Sequence, residues 1–377
     1  MFKKSLAAVA ILGAFAGSAV AADVTLYGLA DLGLNYIHTD LDSGKAGKDD
    51  SFTMRTGQNS GSRFGLKGTE DLGNGLKVGF VLENGFDADT GSLTTEGKIF
   101  DREAQAYLEG AFGRISMGRV GQLASMNGSY GLLGVASPFS SGWGQTIGPK
   151  HVMAAGLTRF DNTVTYVTPD FAGFKVHAQY SFKNSDADGV PGDEGKPNTD
   201  RYYGIGATYN AGPLALVGVV DSINYRTQKI NKTDDDSLSV TLGGSYDFEV
   251  VKLYALGQYF DNASGFSSAF DKSVFKAGAS GVEGWGLSLG ASAPAFGGTA
   301  RAQMGYMDAE DVRAATEGKD NFTRYMFAVG YDYNLSKRTT VYTAASYMKD
   351  KIDYAAKAQD DLKPAAYELF AGMIHRF

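Results

Sequence analysis

The stretch SRFGLKGTEDLGNGLKVGF, Ser62–Phe80, decides the fold. Phe64 and Leu66 share one parity and Arg63 and Lys67 the other. After a break, Leu76, Val78, Phe80 and Leu82 again share a parity, opposite Lys77 and Glu83. Strict alternation marks a strand with one apolar and one polar face, and EDLGNG between the two runs supplies the Asn and Gly of a tight reversal. The stretch therefore reads as a β-hairpin whose apolar face meets either a protein core or lipid.

The same alternation recurs from Val24 to Phe377 with no compositional break or linker. It is seen in VTLYGLADLGLNY, EAQAYLEG, YYGIGATYN, VKLYALGQYF, RYMFAVGYDYN and YELFAGMIHRF, among others. About sixteen such segments can be drawn, an even number as bacterial outer-membrane barrels have. The connections between them alternate in length. EDLGNG, GAFG, PDFAG, NAGP, FEV, PAFGG and NLSKR are short; HTDLDSGKAGKDD, KNSDADGVPGDEGKPNTD, NKTDDD, DAEDVRAATEGKD and KDKIDYAAKAQDDLK are long and polar. A soluble sandwich gives no reason for all short turns to fall at one end. A barrel through an outer membrane does, with short periplasmic turns and long external loops.

Composition agrees. The 377 residues include no Cys, 50 Gly, 8 Pro and 12% aromatics, which suits many strands joined by tight turns. Lys3 and Lys4 precede the apolar run LAAVAILGAFAGSAV, which closes on small residues at Ala19–Ala22, so residues 1–22 read as a cleaved export signal. Its removal takes two of 35 basic residues and leaves 42 acidic ones, a net charge of −9. An exported chain without cysteine is not a disulfide scaffold. After the leader no apolar run is long enough for a membrane helix. Tyr27, Tyr36, Phe80, Tyr166, Tyr180, Phe182, Tyr209, Tyr246, Phe248, Tyr259, Tyr331 and Tyr333 fall near strand ends, where aromatic girdles meet the headgroups. The opening hairpin then faces lipid with Phe64, Leu66, Leu76, Val78 and Phe80.

Taken together, ADVTLYGLADLG, SRFGLKGTEDLGNGLK, GRISMGR, RFDNTVTYVTPDFAGF, YDYNLSKRTTVY and GMIHRF resemble the general diffusion porins of Gram-negative outer membranes, in particular their β-proteobacterial branch. The resemblance spans the whole mature chain, residues 23–377. It implies a homotrimer of sixteen-stranded all-β antiparallel barrels, each narrowed by an inward-folded third external loop. It implies passive diffusion of small hydrophilic solutes and ions, and, as partners, outer-membrane lipid, lipopolysaccharide and the barrel-assembly machinery. No cofactor, metal or nucleic acid is called for.

The segment at about 121–158 is less acidic and more apolar than any other long connection, as a loop folded against the inner wall would be. The resemblance also implies a wall of arginines opposite this loop, matched here by Arg63, Arg102 and Arg159. Each lies eight to ten residues above its periplasmic turn, so at about 3.3 Å per residue and a tilt near 40° they share one height. Asp31 and Glu83 reach that height with lumen parity and would offset part of the charge. Many general porins carry acids on the inward loop in a Pro-Glu-Phe-Gly-Gly context. Here the stretch is Ser-Pro-Phe-Ser-Ser-Gly, with Pro138 and Phe139, and no Asp or Glu occurs between Glu109 and Asp161 while Lys150 and Arg159 do. These residues point to a net positive constriction and modest anion selectivity.

Arg119 shares parity with Ile115 and Met117, which places it on the outer wall. At the midplane this would cost about 2–4 kcal/mol against lipid, so a subunit interface is expected, with Asp87, Asp89 or Glu96 of a neighbour as partner. Phe377 ends an alternating strand and reads as the terminal assembly signal. The four histidines show no metal-ligand spacing, and no Gly-x-Ser-x-Gly elbow is present, so no enzyme is expected. The alternative is a substrate-specific channel for oligosaccharides or organic acids. Tyr130, Phe139 and Trp143 would then line its path; they could equally pack the loop onto the wall.

Overall fold

Alternation becomes a single antiparallel sheet that closes on itself. The computed structural model describes residues 23–42, 48–154, 156–184, 192–225, 236–263, 281–311, 318–355 and 360–377. The leader expected over residues 1–22 and parts of several external loops lie outside the described residues. The first strand, β1 (Asp23–Asp40), pairs with the last, β16 (Ala365–Arg376), from Leu29 opposite Arg376 to Asp40 opposite Ala365. Sixteen strands make the barrel. Closure leaves no sheet edge with unpaired amides, the condition for spanning lipid with strands.

The second strand comes in two pieces. Lys48–Thr56 pairs with the upper part of β1 and Arg63–Gly73 with its lower part, and residues 57–62 leave the ladder between them. The strand Leu76–Asp87 follows through a two-residue turn in which Asn74 and Gly75 both have positive φ, the conformation a twisted hairpin needs. Two-residue turns, at 74–75, 111–112, 212–213 and 296–297, all lie at one end of the barrel, and the long connections lie at the other; Phe296 and Gly297 share the positive φ of Asn74 and Gly75.

Side chains sort as the pleat dictates. Leu66, Met117, Ile205, Leu242 and Val329 are exposed on the outer face. Tyr27 is a correction to the girdle expectation. It stands opposite Gly65, two residues from Arg63 on the same face, and its hydroxyl donates to Glu83 Oε2 at 3.1 Å, so it faces the lumen.

Buried apolar groups gather where the long segment meets the strands. Leu123, Ala124, Tyr130, Leu133, Ala136 and Met153 of the long segment cluster with Val217, Val219 and Leu256 of the strands. A second cluster joins Phe139, Trp143 and Ile147 to Leu29, Ala328, Tyr342, Ala344, Phe370 and Ile374. Phe139 and Trp143 meet edge to face at 5.1 Å and lie against Gly330, where a Cβ would come within 2.7 Å of Phe139. The apolar character of this segment is thus matched by apolar partners on the strands.

Candidate functional site

Glu83, on the strand Leu76–Asp87, is the centre of the arginine group. Its Oε1 lies 2.7 Å from Arg102 Nε and 3.8 Å from Arg63 Nη1, and its Oε2 accepts from Tyr27. Arg102 immediately precedes the strand Glu103–Gly110, and its backbone N–H donates to the Glu83 carbonyl. Arg159 begins the strand Arg159–Val167. It feels the charges of Arg102 and Glu83, and its Nη2 donates to Asn127 Oδ1 at 3.3 Å. Two cations from two strand ends therefore meet one carboxylate, and Arg159 from a third strand end lies within its field. Arg102 is paired at contact distance, Arg63 is held loosely, and Arg159 has no carboxylate within ion-pair distance among the described residues.

Glu103 adds a second acid that the sequence reading passed over. It sits opposite Glu83 on the same face and accepts from Gln105 Nε2 and from the Ser129 N–H, so residues 128–129 of the long segment cover it. The signal was available, since Glu103 has the parity of Gln105 and opposes Leu108.

Asp31 is fully buried and surrounded by donors. The backbone N–H groups of Asn59 and Ser60 donate to Oδ2 at 2.9 and 2.7 Å, and the Tyr342 hydroxyl donates to Oδ1. Its carboxylate is occupied in holding residues 57–62 rather than facing open solvent.

The tip of the long segment is fixed by another carboxylate, Glu368 of β16. Gln145 N–H and Thr146 N–H donate to it at 2.9 Å, Thr146 Oγ1 at 2.7 Å and Asn35 Nδ2 at 2.5 Å. Gly144 N–H donates to the Gln58 carbonyl at 2.6 Å. Pro138 packs on Gly290, and its carbonyl accepts from Arg301 Nη1 at 2.7 Å. Arg324 forms a buried two-point pair with Asp350 and also donates to the His151 carbonyl. Lys150 Nζ donates to the Gly144 carbonyl at 3.0 Å and is within the fields of Glu368 and Arg55. Burial pushes its ammonium down to about 8, with Arg55 adding to the shift and Glu368 opposing it. Lys150 therefore sits near the tip, by Arg55 and Glu368, and is not a member of the Glu83 group.

Tyr130, Phe139 and Trp143 are all buried, and Tyr130 donates its hydroxyl to Gln105 Oε1. None of the three presents a free ring to a passing solute.

Arg119 stands opposite Ala104 on the outward ladder shared by Met117 and Ile115. Its Nη1 lies 2.5 Å from Asp161 Oδ1, and its Nε donates to the Asp101 carbonyl. Lys98 Nζ meets the other oxygen of Asp161 at 2.5 Å. The charge of Arg119 is thus met within the chain. An irregular register at 118–120 against 160–163, with Asn162 at positive φ, brings Asp161 to it. Phe377 closes the seam: its N–H and carbonyl bond to Gly28 at 3.1 and 3.2 Å, and its ring fills the space a Gly28 Cβ would occupy.

Comparisons with known proteins bear on the whole of this arrangement. An outer membrane porin protein of Bordetella pertussis is 36% identical, with 92% of this chain and 94% of that one aligned. Outer membrane porin protein 32 of Delftia acidovorans is 32% identical over 93% of this chain and 90% of its own. Among solved structures, an anion-selective porin from Comamonas acidovorans superposes with a TM-score of 0.71 at 28% identity, over 95% of this chain and all of that one. The sequence model described as Gram-negative porin matches residues 7–353. This chain belongs to the Gram-negative porin family, and is an outer-membrane diffusion channel rather than an enzyme.

Proposed function

We propose that this chain is a general diffusion porin with modest anion selectivity, its pore narrowed by residues 121–158 lying against the inner wall. The observation that carries the reading is the charge imbalance around Glu83. Arg63, Arg102 and Arg159 face Glu83 and the covered Glu103, and only Arg102 is paired at contact distance. Lys150 and Arg55 add positive charge near the segment's tip, where Glu368 is taken up by backbone donors. Charge in the narrowest section governs ion choice, because external carboxylates beyond a screening length of about 8 Å act weakly. That the Comamonas acidovorans neighbour is anion-selective is in keeping with this.

The remaining parts of the reading are export under a cleaved leader at residues 1–22 and insertion by the barrel-assembly machinery through a terminal signal ending in Phe377. In the membrane, homotrimers stand among lipid and lipopolysaccharide. Arg119 belongs to the proposed subunit interface, where its pair with Asp161 is shielded from lipid. The alternative of a substrate-specific channel loses its candidate path, since Tyr130, Phe139 and Trp143 pack the segment instead.

The test is the zero-current potential across a KCl gradient in planar bilayers. The expected sign is that of anion preference, reversed when Arg63 and Arg102 are both replaced by Glu. Cation preference in the wild-type channel overturns the selectivity, and absence of conductance from folded protein overturns the pore.

A further inference from the structure

We infer that Asp31 is a positioning residue for ion selectivity: it holds the excursion 57–62, on which Arg63 and Arg102 rest. The inference deepens the selectivity proposed above and rests on it. A lumenal carboxylate near a cationic constriction would ordinarily count as a countercharge, and the geometry assigns Asp31 a different task.

Residues 57–62 interrupt the second strand, so their amides have no ladder partners of their own. Asp31 supplies them. Its Oδ2 accepts from Asn59 N–H and Ser60 N–H, its backbone N–H donates to Ser62 Oγ at 2.9 Å, and its carbonyl accepts from Gly57 N–H at 3.0 Å. Tyr342, from the strand Thr339–Asp353, donates to the remaining oxygen and fixes the carboxylate from the far side. Among the described residues the groups hydrogen-bonded to the Asp31 carboxylate, Asn59 N–H, Ser60 N–H and Tyr342 O–H, are all donors, and the side chain is fully buried.

The excursion in turn carries the arginines. Ser60 Oγ accepts from Arg63 Nη2, and Arg102 Nη1 lies against Gly61, where a Cβ would stand 2.9 Å from it. The same six residues hold the tip of the long segment, through the Gln58 carbonyl and Gly144 N–H. Asp31 is thus one step removed from both walls of the constriction.

Two variants separate holding from charge, because the two roles make opposite demands. Asp31→Asn removes the charge but keeps an oxygen for the two backbone donors, while its amide can donate to the Tyr342 oxygen. Asp31→Ala removes the charge and the acceptor together. Positioning requires that the anion-to-cation permeability ratio fall toward unity in Asp31→Ala, with noisier open-channel current, while Asp31→Asn stays at or above the wild-type ratio. A rise of equal size in both variants identifies a simple countercharge and overturns the inference. Should Asp31→Ala fail to assemble, Gly61→Ala reads the same platform without altering any charge. A Cβ there must displace Arg102, so the ratio changes; an unchanged ratio overturns the inference. The wild-type potential measured alongside reports on the selectivity reading by itself, so failure of that reading is seen separately from failure of this one.

Discussion

Arg102 Nε lies 2.7 Å from Glu83 Oε1, and this pair divides the three arginines of the proposed constriction into one paired at contact distance and two that are not. Arg63 shares the same oxygen at 3.8 Å, and Arg159, which among the described residues has no carboxylate within ion-pair distance, donates to the Asn127 side-chain oxygen. Glu83→Gln should free Arg102 as a third mobile-ion site and raise anion preference, most visibly at low salt where screening is weak. Reversal potentials in KCl gradients at two ionic strengths check this. An unchanged potential would mean that ions do not sample this carboxylate.

A second expectation concerns pH. Lys150 lies on the long segment between two strands, with its ammonium pushed down to about 8 by burial. A cation whose pKa is lowered loses its charge as pH rises through that value. Anion preference should therefore weaken between about pH 7 and 9 and recover on return. The groups facing Lys150 are the Gly144 carbonyl, Glu368 and Arg55. Replacement by Met should abolish the pH-dependent part while leaving the preference due to Arg63, Arg102 and Arg159. A pH response that survives Lys150→Met would assign the titration elsewhere.

Glu368 offers a mechanical test. Its replacement by Leu leaves the N–H groups of Gln145 and Thr146 without their acceptor, at about 1–3 kcal/mol each where water does not reach them, while Asn35 Nδ2 keeps Gln58 Oε1. Phe139 and Trp143 are still buried, and each contributes about 1.5–3 kcal/mol of apolar burial. The two terms are comparable, so the tip at 144–146 should loosen while the segment remains docked. Recordings should show added noise and closure at lower voltage with an intact barrel on gels. Traces from Glu368→Leu as quiet as those of the wild type would show that the carboxylate is not the restraint.

Phe377 bonds to Gly28 at both its N–H and its carbonyl, and its ring covers the glycine at the seam. Deleting it should remove two closing hydrogen bonds and leave that surface bare. Surface levels, followed by antibody or protease access in cells, should fall, with material accumulating in the periplasm. Normal levels would remove Phe377 from both closure and targeting.

Much of this protein is decided by a two-residue period. The pleat forces neighbours to opposite faces, so the alternation in SRFGLKG and LKVGF by itself determines which side of the wall Phe64, Leu66, Arg63 and Glu83 take. The strand number follows from repeating that count, and the end at which loops grow long follows from their lengths. Outward parity for Arg119 was legible in the same way, through Ile115 and Met117. Tyr27 and Glu103 obey the same rule and could have been placed in the lumen by it.

What a carboxylate does once it is there was decided only by the tertiary structure. Asp31 is ringed by Asn59, Ser60 and Tyr342, Glu368 by Asn35, Gln145 and Thr146, and Arg119 meets Asp161 across an irregular register. Asp161 comes from the adjoining strand by that irregularity; the other partners come from strands that become neighbours only when β1 meets β16, or from segments that leave the ladder, at 57–62 and in the long segment. Local periodicity carries no information about such contacts. It fixes the direction of a side chain, while closure of the barrel and packing of the long segment fix what that side chain meets.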